Sequence, residues 1–392
     1  MVLTPLDRSR LQQALALAES SFGLTEPNPR VGCVVGDETG RILGQGATQQ
    51  AGGPHAEVMA LRDAQSHGAS LAGATAWVTL EPCAHHGRTP PCSEALLAAG
   101  IGRVVAAVGD PFPQVAGAGL AQLRTAGVSV VLAEDSSAAE DIALAHAARD
   151  INIGFFSRVL RKRPWLRMKI AASLDGRTAL NNGVSQWITG SAARDDGHAW
   201  RRRASAVLTG IGTVLEDDPR LDVRAVPTVL QPLRVVVDSR LQTPPSARLL
   251  APPGRGVIIF GAVDDAPRRD ALQAAGAEVL LEVPTPGAGT GTANAASAKV
   301  DLNAMLTTLA ERGVNELHVE AGHKLNASLL RAGLVDELLI YLAPKLMGIG
   351  REMAAFGPLE SLADALAFEF IESTRVGDDL RLRLRPPGRD RF

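Results

Sequence analysis

The sequence has few of the features that mark secreted, membrane-bound or nucleic-acid-binding proteins. Three cysteines in 392 residues are too few for a disulfide framework and favour a reducing compartment, so we expect a cytoplasmic protein. Aromatic residues make up 4% and the net charge is −2, which disfavours a basic, aromatic surface for nucleic acid or anionic lipid. No apolar run approaches the length of a membrane span. Near the start, Leu11, Leu15 and Ala18 recur at helical spacing, which predicts an amphipathic helix and not a secretory signal.

The sequence does contain enough apolar residues for two folded domains. Apolar residues make up 46% and charged residues 21%, as in globular proteins, and 392 residues are long for one domain. Apolar runs alternate with helical patterns in both halves, which predicts α/β domains with helix-covered sheets. We expect a first domain over residues 1–150, a helical and basic linker over 151–164 and a second domain over 165–392.

The same patterns locate the individual elements. In the first half, strands are predicted at 31–36, 75–80, 103–108 and 128–132, and helices at 55–67, 92–99, 117–126 and 137–158. In the second half, a new α/β series begins at 166–176, with strands predicted at 205–210, 233–238, 256–260, 315–320 and 337–342. Residues 284–298 are rich in Gly, Ala and Thr and are predicted to form a mobile surface insertion.

One forty-residue stretch concentrates side chains that bind zinc. His55, Cys83 and Cys92 supply one imidazole and two thiolates, and three protein ligands leave the fourth position of a zinc ion open for water. Glu57 lies two residues after His55, where it can take a proton from water and pass it to a leaving amine. His-x-Glu followed by Pro-Cys and a second Cys is the signature of zinc deaminases, although here eight residues separate the cysteines instead of two. The stretch therefore predicts a hydrolytic deaminase with Glu57 as its catalytic residue.

Other interpretations of these residues remain open. A fourth ligand from His85, His86 or Cys33 would make the zinc site structural, in a nucleotide-binding regulatory protein. Cys33 lies in an apolar run, where a free thiol usually acts as a small hydrophobic side chain. A deaminase acting on tRNA or single-stranded DNA is a further alternative, disfavoured by the low aromatic content. Glu57 favours the catalytic interpretation, because a structural site has no use for a carboxylate there.

Four segments of the first half resemble the deaminase half of the bifunctional deaminase–reductases of riboflavin biosynthesis: PNPRVGCVV, GPHAEV, VTLEPCAHHGRTPPC and GDPFPQVAGAG. The resemblance implies a cytidine-deaminase-like three-layer α/β/α fold and hydrolytic deamination of 2,5-diamino-6-(5-phosphoribosylamino)pyrimidin-4(3H)-one. It implies substrate contacts at Asn28, Arg88 and Asp110, of which Arg88 suits a phosphate. The chain has Thr48 where the family often has His, and Phe112 where it often has Asn. These departures affect substrate contacts and leave the zinc chemistry intact.

Six segments of the second half resemble the reductase half of the same family, in the same order: KIAASLDGRTA, SQWITG, AVLTGIGTVLEDDPRLDVR, VVVDSR, HVEAGHKLNASLL and LVDELLIYLAPKLMG. The resemblance implies a dihydrofolate-reductase-like α/β domain that uses NADPH to reduce the ribosyl group of 5-amino-6-(5-phosphoribosylamino)uracil to ribityl. The implied substrate contacts are Lys169, Ser185, Arg201, Leu221, Arg224 and Glu320. The implied cofactor contacts are Ala171, Trp187, Thr213, Asp217, Ser239, Gly322, His323, Lys324, Leu325, Asn326, Ala327 and Ser328.

The turn that follows the strand predicted at 315–320 supports ligand binding on physical grounds. Gly322 allows close approach of the backbone, and the helix N-terminus after it offers N–H groups to a pyrophosphate. The GxGxxG fingerprint is not present there, so a Rossmann domain is not predicted. Glu320 ends an apolar strand, where a carboxylate is costly without a partner, and this favours a functional role.

Several alternatives in the second half stay open. Trp187 could be a core aromatic, and Asp217 could belong only to a turn. Arg202 and Arg203 are expected on a solvated helix face. The resemblance also implies a homo-oligomer, a dimer or tetramer, that takes small phosphoribosylaminopyrimidine substrates. The net charge, the low aromatic content and the lack of long apolar runs predict no nucleic-acid or membrane partner. A protein with only one active half remains a further possibility.

Overall fold

A computed structural model describes residues 2–85, 90–113, 115–251, 254–282 and 298–392. The chain divides into two compact units, Met1–Arg161 and Lys162–Phe392. The insertion predicted at 284–298 lies, except for its last residue, outside the described residues. Among the helices that the structure describes, none combines the length and the apolar composition needed to cross a bilayer.

The first unit is built on a five-stranded sheet with the order β2-β1-β3-β4-β5. Strand β1 is antiparallel to both of its neighbours, whereas β3, β4 and β5 are parallel. The elements are α1 (Pro5–Ser20), β1 (Gly32–Gly36), β2 (Ile42–Ala47), α2 (Ala56–Ser66), β3 (Thr75–Val78), α3 (Cys92–Ala98), β4 (Arg103–Ala106), α4 (Ala118–Thr125), β5 (Ser129–Leu132), α5 (Ala139–Ile151) and α6 (Ile153–Arg161).

Glycines in the first two strands show that helices cover both faces of this sheet. A Cβ on Gly32 would lie 1.9 Å from the carbonyl oxygen of Ala14 in α1. The next residue, Cys33, pairs with Gly46, and a Cβ there would lie 2.5 Å from the backbone nitrogen of Ala60 in α2. Successive strand residues point to opposite faces, so α1 and α2 lie on opposite sides of the sheet. The predicted three-layer α/β/α arrangement is confirmed.

The start of α1 is fixed by a capping box that also ties this helix to the sheet. The Thr4 hydroxyl accepts from the N–H of Asp7 at 3.1 Å, and the Asp7 carboxylate accepts from the N–H of Thr4 at 3.0 Å. The same buried carboxylate accepts from Trp77 Nε1 of β3 at 2.8 Å and from Arg103 Nη1 of β4 at 2.7 Å. The Asp7 side chain thus caps the start of α1 and also binds side chains of β3 and β4.

The helical stretch predicted over 137–158 consists of two helices, α5 and α6, which meet at Asn152. The Asn152 amide accepts from the backbone N–H of Arg30 at 2.8 Å and donates to its carbonyl at 2.8 Å. The backbone N–H of Asn152 donates to the carbonyl of Arg149 at 3.1 Å, and its carbonyl accepts from the N–H of Phe156 at 3.1 Å, so Asn152 ends α5 and precedes α6. Helix α6 belongs to the first unit, so most of the segment expected as a linker is part of that unit.

The second unit is built on a nine-stranded sheet with the order β11-β10-β9-β8-β12-β6-β13-β16-β15. In this order, the first seven strands, from β11 through to β13, are all parallel to one another. The next strand, β16, is antiparallel to both of its neighbours, β13 and β15. A separate pair is formed by β7 and β14. The elements are β6 (Trp165–Ser173), β7 (Arg177–Leu180), α7 (Ser191–Arg203), β8 (Ala206–Gly210), α8 (Ile211–Asp217), β9 (Leu233–Val237), β10 (Val257–Gly261), α9 (Ala266–Ala274), β11 (Ala277–Leu281), α10 (Leu302–Glu311), β12 (Glu316–Val319), α11 (His323–Arg331), β13 (Glu337–Ala343), β14 (Gly350–Glu352), β15 (Glu369–Val376) and β16 (Asp379–Arg385).

A network of buried charges lies in this sheet. Arg203 is buried and not solvated as expected: its Nε donates to Glu316 Oε2 at 2.9 Å. Glu316 also accepts from Arg167 Nη1 at 2.7 Å, and Arg167 Nε donates to Glu337 at 2.6 Å. The Arg167 guanidinium lies 4.5 Å from the centre of the Trp200 ring. Each charge has an opposite partner, which is the condition under which charges are tolerated in a protein interior.

Candidate active sites

The three predicted zinc ligands meet in the first unit. His55 is the N-cap of α2, Cys92 is the first residue of α3, and Cys83 lies in the loop after β3. Their ligand atoms all lie within 4.8 Å of one another, and His55 Nδ1 is 3.6 Å from Cys83 Sγ and 3.3 Å from Cys92 Sγ. Tetrahedral zinc, with bonds of about 2.0 Å to nitrogen and about 2.3 Å to sulfur, places such atoms about 3.6 Å apart. The donor set therefore fits a zinc ion.

The candidates for a fourth protein ligand do not join this cluster in the described part of the chain. The cluster contains three ligating residues. Cys33 is buried in β1, and the His85 ring lies 5.9 Å from the ring of Phe112. His86 is outside the described residues. Within the residues described, the structure therefore favours a site with one open position, which is the catalytic type.

The contact between the two ligand thiols makes Cys83 more acidic and Cys92 less acidic. A hydrogen bond from Cys92 lowers the pKa of Cys83 to about 4, and His55 acts in the same direction. The same hydrogen bond raises the pKa of the Cys92 thiol, and burial raises it further. The backbone N–H of Cys92 also donates to Cys83 Sγ at 3.3 Å. A divalent cation between the two sulfurs favours the thiolate form of both.

Glu57 borders the ligand cluster from the first turn of α2. Its side chain is buried, close enough to Cys83 and His55 for their charges to act on it. Burial raises the pKa of Glu57 to about 7, and the negative charge of Cys83 adds to this effect. A carboxyl group placed beside an open metal position suits proton transfer to and from a reacting group.

A cavity of about 380 Å³ adjoins the cluster and is lined by His55, Glu57 and Cys83. Two of the three residues expected to contact the deaminase substrate, Asn28 and Asp110, line it, whereas Arg88 is outside the described residues. Burial raises the pKa of Asp110 to about 7, against a hydrogen bond from the Phe112 N–H. The two departures from the family pattern, Thr48 and Phe112, also line this cavity.

Two contributions to this cavity are not predicted from the sequence. The Glu81 carboxylate is buried and accepts from the backbone N–H groups of Asp110, Gly117, Gly119 and Leu120 at 2.9–3.2 Å. It thereby holds the loop that carries Asp110 and the start of α4. The position of Glu81 directly before Pro82-Cys83 indicates a role near the zinc site. Its hydrogen-bond partners, however, come from a loop that is distant in the sequence. Helix α6, expected as linker, contributes Phe155 and Arg158 to the cavity wall.

In the second unit, two adjoining cavities of about 700 Å³ and about 290 Å³ share five lining residues: Thr213, Glu216, Gly322, His323 and Arg351. The larger lies at the carboxyl ends of β8, β9 and β12, where parallel α/β sheets usually bind ligands. Predicted cofactor residues that line it are Thr213, Ser239, Gly322, His323, Lys324, Leu325 and Ser328. Predicted residues that line the smaller cavity include Lys169, Ala171, Ser185, Trp187, Asp217, Glu320 and Asn326.

Two uncapped helix starts face the larger cavity. Gly322 is the N-cap of α11 and Gly210 that of α8, and neither helix has a side-chain cap. A Cβ on Gly212 would meet no atom within 4 Å. Helix N-termini of this kind offer backbone N–H groups to phosphate oxygens, so the cavity fits the pyrophosphate of a dinucleotide. Trp187, in the smaller cavity, is 63% exposed and is therefore not a core aromatic.

Glu320 has the partner that its position requires. Arg201 Nη2 donates to Glu320 Oε2 at 2.9 Å, and Arg201 Nε donates to the other carboxylate oxygen. Burial opposes ionisation of Glu320, but the Arg201 guanidinium outweighs it and holds the pKa of that carboxyl well below its usual range. Burial lowers the pKa of Lys169, which Glu320 partly offsets. The smaller cavity thus brings together a paired carboxylate and a desolvated amine.

Four predicted residues are not on either cavity lining, as far as the described residues define it: Arg201, Leu221, Arg224 and Ala327. Arg201 reaches the smaller cavity through Glu320 and also donates to the carbonyl of Asp222 at 2.9 Å. Arg224 is exposed and donates to Asp222 Oδ1 at 2.8 Å. Leu221 is buried in a left-handed backbone conformation, with φ of 54°, and Ala327 is buried in α11.

Comparison with protein families gives a separate match for each unit. The family described as "Cytidine and deoxycytidylate deaminase zinc-binding region" matches residues 5–108. The family described as "RibD C-terminal domain" matches residues 164–382. The first match contains His55, Glu57, Cys83 and Cys92, and the second contains every residue predicted for the reductase site.

Individual relatives match almost the whole chain. The riboflavin biosynthesis protein RibD of Escherichia coli strain K12 is 41% identical, over 96% of this chain and 99% of its own length. RibD of Aquifex aeolicus is 38% identical, over 97% and 98%. A solved structure of Acinetobacter baumannii RibD has a TM-score of 0.83 at 39% identity and covers 97% of this chain and 99% of its own. The solved Thermotoga maritima deaminase/reductase has a TM-score of 0.82 at 30% identity, with coverage of 97% and 99%. These likenesses confirm the two predicted fold classes.

Proposed function

The chain belongs to the RibD family of bifunctional riboflavin-biosynthesis enzymes, with zinc and NADPH as its cofactors, and we propose that each compact unit carries one of its two activities. The first unit deaminates and the second reduces. The Thermotoga maritima relative is described as a diaminohydroxyphosphoribosylaminopyrimidine deaminase/5-amino-6-(5-phosphoribosylamino)uracil reductase. That description supports the same substrates here, with 2,5-diamino-6-(5-phosphoribosylamino)pyrimidin-4(3H)-one entering the first site.

The convergence of His55, Cys83 and Cys92 beside Glu57 is the observation that carries the deaminase assignment. Zinc held by the three ligands supplies Lewis acidity that brings the pKa of water towards neutrality. Glu57 accepts a proton from water and delivers it to the departing amino group, which leaves as ammonia. Asn28 and Asp110 line the adjacent cavity and orient the pyrimidine ring.

The reductase site uses the two adjoining cavities of the second unit. NADPH supplies the hydride that reduces the ribosyl group. The N-termini of α8 and α11 and Ser239 hold the dinucleotide in the larger cavity. Lys169, Ser185 and Glu320 line the smaller cavity and position the ribosyl group. Arg201 keeps Glu320 ionised.

A coupled assay of the purified full-length chain tests this function. With zinc, NADPH and the diaminopyrimidine, ammonia release should come first and NADPH oxidation should follow it. The deaminated uracil supplied directly should be reduced without any ammonia being formed. NADPH oxidation by the diaminopyrimidine without prior release of ammonia would contradict the proposed order of the two reactions.

Exposed apolar side chains and free thiols bear on the assembly and location of the protein. We propose a homodimer or homotetramer, supported by large apolar side chains on the surface of the second unit: Ile349 is 84%, Leu362 95% and Phe370 69% exposed. Sedimentation of the purified chain tests this, and a monomer at micromolar concentration would contradict it. The three cysteines are all free thiols, which supports a location in the reducing cytoplasm.

A further inference from the structure

Helix α6 places one arginine at the wall of the deaminase cavity. Arg158 lines this cavity together with Pro27 and Phe155. Its guanidinium carbon lies 5.7 Å from the centre of the Phe155 ring, and its Nη2 lies 3.5 Å from the carbonyl oxygen of Pro27. The side chain is therefore held between two other lining residues, in the same cavity as the zinc ligands.

Three carboxyl groups line this cavity, so an anionic ligand that enters it needs a cation in the cavity wall. The carboxyl groups that line it belong to Glu57, Glu81 and Asp110. Arg158 is the only Lys or Arg among the lining residues that the structure describes. Burial lowers the pKa of Arg158, and the nearby Glu26 carboxylate offsets part of this effect, so the guanidinium stays charged and is a cationic partner at the cavity wall. An anionic substrate entering this acidic cavity needs such a partner.

We propose that Arg158 binds the phosphate of the deaminase substrate and thereby determines its preference for phosphorylated over unphosphorylated pyrimidine ribosides. The proposal rests on the proposed function, because the phosphate belongs to that substrate. A phosphate monoester carries between one and two negative charges at neutral pH, and a guanidinium can donate to it through two parallel hydrogen bonds. Helix α6 is then part of the substrate site and not a linker.

The test compares two substrates in Arg158→Ala. The KM of ammonia release is measured with the diaminopyrimidine ribosyl phosphate and with the same compound lacking its phosphate. We expect KM to rise about 10- to 100-fold for the phosphorylated compound, the range for losing a hydrogen bond between charged groups. KM for the dephosphorylated compound should stay unchanged. Arg62→Ala, which removes an exposed arginine from α2 outside the cavity lining, is the matched control and should change neither value.

Two further variants keep the outcome decisive. Arg158→Lys retains the charge without the two parallel donors, so KM for the phosphorylated compound should rise less than in Arg158→Ala. Arg88→Ala measures the contribution of the other arginine expected at the phosphate. Zinc content and reduction of the deaminated uracil show whether each variant is folded.

The ratio of the two KM values decides the proposal. Equal changes of KM for both compounds would overturn it, as would a rise confined to Arg88→Ala. If Arg158→Ala loses zinc, the KM values of Arg158→Lys for the phosphorylated and dephosphorylated compounds are compared instead. Equal changes of the two values would then overturn the proposal. Failure of the unaltered chain to release ammonia from either compound is a different result and would contradict the proposed function instead.

Discussion

The two active sites differ in how their residues are distributed along the chain. The zinc ligands and Glu57 lie between residues 55 and 92, in one helix start, one loop and the next helix start. The reductase residues extend from Lys169 to Ser328 and meet only because parallel strands end at one edge of a large sheet. A site of the first kind is recognisable from its chemistry alone, whereas the second kind depends on topology.

The largest effect is expected from a substitution that inactivates the zinc site and leaves the reductase site intact. Cys83→Ala removes a zinc ligand, so ammonia release should fall by at least about 100-fold, since even partners of metal ligands are worth 10- to 100-fold. Reduction of the deaminated uracil should be unchanged. Zinc analysis and both assays on the same preparation provide the measurement.

Cys33→Ala is the matched control, because Cys33 is the remaining cysteine and is buried in β1 outside the ligand cluster. It should retain about one zinc per chain, the stoichiometry expected for one three-ligand site. If Cys83→Ala abolishes both activities, or Cys33→Ala also loses zinc, the two sites are not separate in the way described.

An intermediate effect is expected at the second site. Arg201→Ala leaves the Glu320 carboxylate without its guanidinium, and removing one partner of a buried ion pair typically costs about 3–5 kcal/mol. The kcat/KM for reduction should fall by about 100-fold, and ammonia release should not change. Steady-state kinetics with the deaminated uracil check this.

The neighbouring Arg202 on α7 supplies the control for that variant. It donates to the carbonyl of Pro227 at 3.5 Å and takes no part in the Glu320 pair. The kcat/KM of Arg202→Ala for reduction should stay within about twofold of the value for the unaltered chain, because surface substitutions usually have small effects. Similar losses in both variants would show that the helix, and not the Arg201–Glu320 pair, governs reduction.

The smallest effect is expected on the stability of the first unit, through Asp7. Burial opposes ionisation of Asp7, but hydrogen bonds from Arg103, Trp77 and Thr4 outweigh it and hold the pKa of Asp7 below its usual range. Because the folded-state pKa is depressed, this stabilisation is complete above about pH 4, the unfolded pKa, and is lost as pH falls through the folded-state value. Asp7→Asn should lower the free energy of unfolding by about 1.5–3 kcal/mol at pH 7, and by less in acid.

Urea unfolding followed by circular dichroism between pH 7 and pH 3 measures this difference. Glu19→Gln, an exposed position on the same helix, is the control and should change the unfolding free energy by less than about 0.5 kcal/mol. A difference between Asp7→Asn and the unaltered chain that stays constant down to pH 3 would contradict the role given to the Asp7 carboxylate.

What the sequence predicts well is local. The helix starts at His55 and Cys92 follow from short-range chemistry, and both lie where predicted. The alternating DLRLRLR of β16 is also a strand signal, although no strand is predicted there. The glycine-containing β2 lacked such a signal and is held by its pairing with β1.

What the sequence does not predict depends on distant partners. Arg203 occupies a charged run typical of a solvated helix face, and only the position of Glu316 on β12 shows why it is buried. Glu81 likewise acts through backbone groups of a loop almost thirty residues further along the chain. Asn152, where α5 and α6 meet, pairs with the distant Arg30. Residues of this kind become interpretable only once the topology is known.

Glu57→Gln tests most directly whether the first site is a catalytic zinc centre. The substitution keeps the size of the side chain and removes the proton-transferring carboxylate, so ammonia release should fall by about 100- to 10,000-fold. Zinc content and reduction of the deaminated uracil should remain those of the unaltered chain. Ammonia release at an unchanged rate by the zinc-loaded variant would contradict this account.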